Sequence, residues 1–195
     1  MSDRENNHDA NRAQHRQFYF LIYTQTDATV QGYACGSGLD IGLNDAGLDE
    51  ARKSERRYKK NPLKFKAIVA SPELRAVQMA DILHDEVKAK MTIFRDFSDQ
   101  FLGTLEGQKV GPGTDFTSPP RGESGKDFHA RVQRAFQELL NLAGPIVLVT
   151  HDRVIKAGLL SLGLPPSELI GLVEPGELYA VDVPAGQGLP KVRKV

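Results

Sequence analysis

Phe18-Tyr19-Phe20-Leu21-Ile22-Tyr23-Thr24-Gln25-Thr26-Asp27-Ala28-Thr29-Val30-Gln31-Gly32 is the stretch that decides the reading of this chain. Its first five residues are aromatic, aliphatic and branched, the composition of a strand buried on both faces of a sheet. The run turns polar at Tyr23. A buried strand that ends in a polar loop near the start of an α/β domain sets that loop at the carboxyl edge of the sheet. Open α/β folds bind ligands at that edge.

Upstream, residues 1–17 are rich in Asn, Asp, Arg and Gln and carry almost no apolar side chains, so they are expected to form a disordered tail before a single domain over 18–195. His8 and His15 fall in this tail without further metal-ligand residues nearby, and no metal site is expected. Downstream, Gly36, Gly38 and Gly42 mark a loop over 33–43. Cys35 in that loop is a weak candidate for a phosphatase nucleophile, because the arginine such an enzyme needs six residues later is replaced by Ile41.

A helix capped by Asn44 or Asp45 is expected next. Acidic residues open it, and Arg52, Lys53, Arg56, Arg57, Lys59 and Lys60 close it, a polarity that suits the helix dipole. The pattern then alternates between buried strands and amphipathic helices. Strands are expected at 65–70, 91–94, 145–150 and 178–183. Ser71 with Pro72 reads as the cap and first position of a helix whose apolar face is Ala76, Met79, Ala80, Leu83 and Val87. Phe128, Val132, Phe136, Leu139 and Leu140 predict another helix, and a last one is expected to run to about Leu162. His129 beside that face has no evident partner in the sequence. Residues 108–122 hold Gly111, Pro112, Gly113, Pro119 and Pro120 and read as a mobile loop. Alternation of this kind predicts an α/β three-layer sandwich: a mostly parallel central sheet with helices on both faces.

Composition narrows the function classes. With a formal net charge of zero over 195 residues, the whole-molecule field offers nucleic acid no strong attraction. The single cysteine excludes an internal disulfide and a cysteine-rich zinc site. No apolar run reaches membrane-spanning length and no signal-peptide core is present, so the expected location is cytoplasmic.

Several segments resemble the histidine phosphatase superfamily, the phosphoglycerate-mutase-like proteins. Gln25-Thr26-Asp27 and Val30-Gln31-Gly32 are in register with the sequence that follows the family's Arg-His-Gly motif. Leu39, Asp40, Leu43 and Gly47 match the rim of its pocket. Ala70-Ser71-Pro72-Glu73-Leu74-Arg75-Ala76-Val77-Gln78-Met79-Ala80 is similar to its Ser-Ser-Pro-x-x-Arg-Ala-x-Gln-Thr-Ala. Gly103, Glu106, Gly107, the segment Gly122-Glu123-Ser124 and the segment Thr150-His151-Asp152-Arg153-Val154-Ile155 follow in order. The resemblance spans about residues 18–185 and implies a phosphoglycerate-mutase-like fold.

The resemblance also implies what has been lost. The nucleophilic histidine slot holds Tyr23, the adjacent arginine slot holds Ile22, and Thr24 stands for the glycine. Two more slots hold Thr29 and Tyr33, and both glycines after His151 are replaced. The slots that keep suitable chemistry are Arg75 and His151 for phosphate, with Asp99 for the acid that protonates the leaving oxygen. Tyrosine can act as a covalent nucleophile, but its ordinary pKa of ~10 keeps it protonated at neutral pH.

The expected function is thus a pseudo-phosphatase, a catalytically inactive relative of phosphomonoesterases and phosphoglycerate mutases. It would bind a phosphorylated small molecule or phosphoprotein weakly through Arg75, His151, Thr24 and Thr29, without a cofactor, nucleic acid or membrane, and a homodimer is left open. The alternatives are an active hydrolase using Tyr23 or a water activated by His151 or Asp99, and a protein-interaction module using the basic cluster near Arg56. A short loop over 108–122 predicts a shallow, open pocket.

Overall fold

The computed structural model describes residues 16–60 and 64–195, with the side chains of Lys59 and Lys60 outside the description. The expected tail lies outside the described residues as far as position 15, as do His8 and His15. Its last two residues behave otherwise. Strand β1 (Arg16–Ile22) starts at Arg16, because Arg16 and Gln17 pair with Val183 and Asp182 of strand β5 (Leu178–Val183).

Six strands form one mixed sheet. The others are β2 (Ala67–Ala70), β3 (Lys90–Ile93), β4 (Ile146–Thr150) and β6 (Lys191–Lys194), and the spatial order is β3-β2-β4-β1-β5-β6. The first four in that order run parallel, and β5 and β6 add on antiparallel at the β1 side. The α/β sandwich expected from the alternating pattern is the observed architecture. Strand β6 was not expected: Lys191-Val192-Arg193-Lys194 contains one apolar residue, and an edge strand needs little burial once β5 supplies its hydrogen bonds.

Alternation along β1 divides the core. Phe18, Phe20 and Ile22 face one side with α4 (Gly125–Asn141) and α5 (Asp152–Ser161). Tyr19 and Leu21 face the other with α2 (Asp45–Lys60) and α3 (Leu74–Val87). Helices α4 and α5 cross where Gly158 lies against the Phe136 ring; a Cβ there would sit 2.1 Å from Phe136 Cζ. Only glycine permits that approach.

One helix start matches expectation and one differs. Asn44 Oδ1 accepts from Gly47 N at 2.8 Å and so caps α2. Helix α3 starts at Leu74 rather than at Pro72, and the Leu74 N–H donates to Asp40 Oδ1 at 2.6 Å. Ser71 is left free for another task. Ser124 caps α4 by accepting from Asp127 N, and His129 on that helix contacts Gly125 O at 2.7 Å. Among the described residues, no helix is long and apolar enough to cross a membrane.

Candidate functional site

Strand register builds the site. In the parallel pair β1–β4, Ile22 lies opposite Thr150, so Tyr23 and His151 leave neighbouring strands side by side. On the other flank of β4, Ser71 N donates to Val149 O at 2.9 Å, which brings Ser71 to the same edge as β2 ends. In the first turn of α3, Arg75 points back over this edge. Asp99 arrives from the loop after β3, its Oδ1 accepting from Gln100 N at 2.8 Å. Tyr23, Arg75, Asp99 and His151 therefore converge at the carboxyl edge of the parallel strands.

Convergence here produces a closed network. Arg75 is 0% exposed, His151 1%, Glu73 4% and Asp99 5%. Arg75 Nη1 and Nη2 donate to the carbonyls of Leu39 and Gly36 at 3.2 and 3.1 Å, and Nη2 reaches His151 Nδ1 at 3.4 Å. The Asp99 carboxylate lies 3.7 Å from both Arg75 Nη2 and His151 Nδ1, with Arg153 Nε on its other oxygen at 3.4 Å. On the far side of the imidazole, His151 Nε2 meets Glu73 Oε2 at 2.9 Å and Ser71 Oγ at 2.8 Å. The Ser71 hydroxyl also donates to Glu73 Oε2 in a very short contact. Burial opposes ionisation of Glu73, but the hydrogen bonds from His151 and Ser71 outweigh it and hold the carboxyl below its usual range.

Tyr23 covers this network. Its ring meets His151 edge-on at 5.3 Å between centroids, and the Arg75 guanidinium carbon stands 5.3 Å from the same ring. Burial is the main cause that pushes the Tyr23 hydroxyl up to about 12. Burial likewise pushes the Cys35 thiol up, and its Sγ contacts Leu39 O at 3.3 Å.

The remaining candidates stand apart from this centre. Thr24 is buried and donates to Gly47 O at 2.7 Å; a Cβ on Gly47 would fall 2.1 Å from Gln25 O, so glycine is what lets α2 approach this loop. Thr29 is spent in a reciprocal cap with Thr26 at the short helix α1 (Asp27–Gln31). A cavity of about 330 Å³ lies outside the Tyr23 ring, lined in part by Thr24, Thr29, Glu50 and Asp152. Arg75 and His151 do not line it. The 108–122 loop is tied down rather than loose: Gln100 Nε2 donates to Phe116 O and Glu123 O at 2.8 Å, and the Phe116 ring lies 4.7 Å from the Arg153 guanidinium.

Sequence reasoning missed Glu73, Ser71 as a histidine partner, and Arg153 as the partner of Asp99. An acid beside a helix N-terminus is ordinary there, so Glu73 carried no distinguishing signal.

Comparison with known proteins agrees with this fold. No curated protein matches the chain. Among solved structures, it is similar to a mycobacterial glucosyl-3-phosphoglycerate phosphatase (21% identity, TM-score 0.74, covering 93% of this chain and 98% of the other). It is similar also to the alpha-ribazole phosphatase of Shigella flexneri (19%, 0.76, covering 92% and 95%). A protein of Thermus thermophilus, TTHB049, is a third (27%, 0.68, covering 92% and 98%). The sequence model of the histidine phosphatase superfamily (branch 1) matches residues 23–191. With that match across nearly the whole described domain, this chain belongs to the histidine phosphatase superfamily.

Proposed function

We propose that this protein is a catalytically inactive histidine phosphatase relative whose former substrate pocket is filled by its own side chains. The observation that carries the reading is the saturation of His151 and Arg75 by Glu73, Asp99 and backbone carbonyls beneath the Tyr23 ring. Phosphoryl transfer needs an in-line nucleophile and cationic donors directed at the three equatorial oxygens. Tyr23 is a poor nucleophile with its hydroxyl raised to about 12, because almost none of it is phenolate at neutral pH. A water activated by His151 has no room, since both ring nitrogens have protein partners and the ring is buried.

The expected phosphate ligands fare unevenly. Arg75 and His151 are paired but sealed, and Thr24 and Thr29 direct their hydroxyls elsewhere. Any binding of a phosphorylated ligand there would have to displace internal bonds, which favours weak binding or none.

Purified full-length protein assayed on an aryl phosphate from pH 5 to 8 tests the reading, and release at the buffer background is expected. Robust release abolished by Tyr23→Phe would favour the tyrosine route. Release that survives Tyr23→Phe and is lost in His151→Ala would favour activated water.

A second reading concerns α2. Arg52, Lys53, Arg56 and Arg57 share one exposed face, and Lys53 and Arg56 have no ion-pair partner among the described residues. Such a face suits docking of an acidic protein surface.

A further inference from the structure

We propose that Glu73 determines which ligands this site refuses: its carboxylate acts as an internal ligand on His151 and bars external oxyanions. The proposal rests on the reading of the site as a former phosphate pocket without turnover.

Local structure explains how an acid comes to lie there. Glu73 occupies the N-cap position of α3 yet makes no side-chain cap bond. Asp40, from the loop before α2, takes the Leu74 N–H instead. Relieved of capping, the Glu73 carboxylate turns inward onto Ser71 and His151.

Donor and acceptor accounting then assigns the histidine. The Ser71 hydroxyl has one proton, which goes to Glu73 Oε2. His151 Nε2 must therefore carry the proton it shares with Glu73 and Ser71, and Nδ1 presents its lone pair to Arg75 Nη2. Neither nitrogen is left to donate to a ligand. An incoming oxyanion would also meet carboxylates on both sides of the ring, Glu73 beyond Nε2 and Asp99 beyond Nδ1.

One donor remains unspent. Arg75 Nε is buried with no hydrogen-bond partner among the described residues. Neutralising position 73 would free His151 Nε2 and the Ser71 hydroxyl as donors for an oxyanion, with the Arg75 charge to attract it. The Tyr23 ring still blocks the way in from the outer cavity, so the test must separate entrance from charge.

Inorganic phosphate is the probe, titrated calorimetrically into wild type, Tyr23→Ala and Tyr23→Ala/Glu73→Ala, with near-UV circular dichroism verifying folding. Should the alanine double variant fail to fold, Tyr23→Ala/Glu73→Gln carries the same comparison. The proposal predicts no saturable binding to wild type or Tyr23→Ala. It predicts saturable binding to the folded double variant, from loss of one buried like charge near the anion. Equal binding by Tyr23→Ala and the double variant would overturn it, as would absence of binding in every folded double variant. Turnover of an aryl phosphate by wild type would sink the inactive reading separately, since that assay does not involve position 73.

Discussion

Replacing Glu73 by alanine should destabilise the protein at neutral pH and do so less in acid. The carboxylate is buried and accepts from the Ser71 hydroxyl and from His151 Nε2. Alanine leaves those two donors facing each other at 2.8 Å, where they can satisfy only one of them. An orphaned buried donor costs ~1–3 kcal/mol. Relief of carboxylate desolvation offsets part of that cost. We expect a net loss of about 2 kcal/mol, or a Tm lower by ~4–8 °C for a domain of this size.

The sign of the pH dependence follows from the direction of the shift. The folded carboxyl lies below its ordinary 4.5, so the folded state binds this proton more weakly than the unfolded chain. Its stabilising contribution is complete above the ordinary value and disappears as the pH falls through the lower, folded one. Urea denaturation of wild type, Glu73→Ala and Glu73→Gln at pH 7, 5 and 3.5 reads this directly. The alanine penalty should shrink toward pH 3.5, and glutamine, which keeps an acceptor oxygen, should cost less than alanine at pH 7. A penalty absent at pH 7, or one that stays constant or grows in acid, would refute the account of this network.

Other consequences are open to test. The triple variant Ile22→Arg, Tyr23→His, Thr24→Gly should show no turnover and no trapped phosphohistidine while Glu73 remains. It should also lose several kcal/mol, because Ile22 belongs to an apolar cluster and Thr24 loses its bond to Gly47; urea denaturation and acid-labile phosphate trapping check both. Gly158→Val forces α5 off the Phe136 ring and should lower stability by ~1–3 kcal/mol or more, measured by thermal denaturation. Diethyl pyrocarbonate should modify the exposed His129 and spare His151 in native protein, as read by peptide mass mapping; rapid modification of His151 would contradict its sealing beneath Tyr23.

Much of the fold was legible because its signals are local and repeated. Phe18 to Ile22 reads as a strand, and the apolar faces of α3 and α4 recur at helical spacing, so the layers follow from pattern alone. Strand β6 and the first two residues of β1 were not legible, since their hydrogen bonds come from β5 and their side chains bury little. At the site, the fate of Glu73 depends on Asp40, a residue distant in sequence that takes over the helix cap. No window on the sequence contains both. The environment of Asp99 depends likewise on Arg75, His151 and Arg153 from separate elements. Residue types marked which side chains could hold phosphate; only three-dimensional packing reveals that they already hold each other.

The most direct test of this account is a crystal of the wild-type protein soaked in vanadate. The account predicts no vanadate between Arg75 and His151, with the Glu73 carboxylate still within hydrogen-bond distance of His151 Nε2 and the Tyr23 ring in place above it. Vanadate bound between Arg75 and His151, with Glu73 swung out of the site, would contradict it.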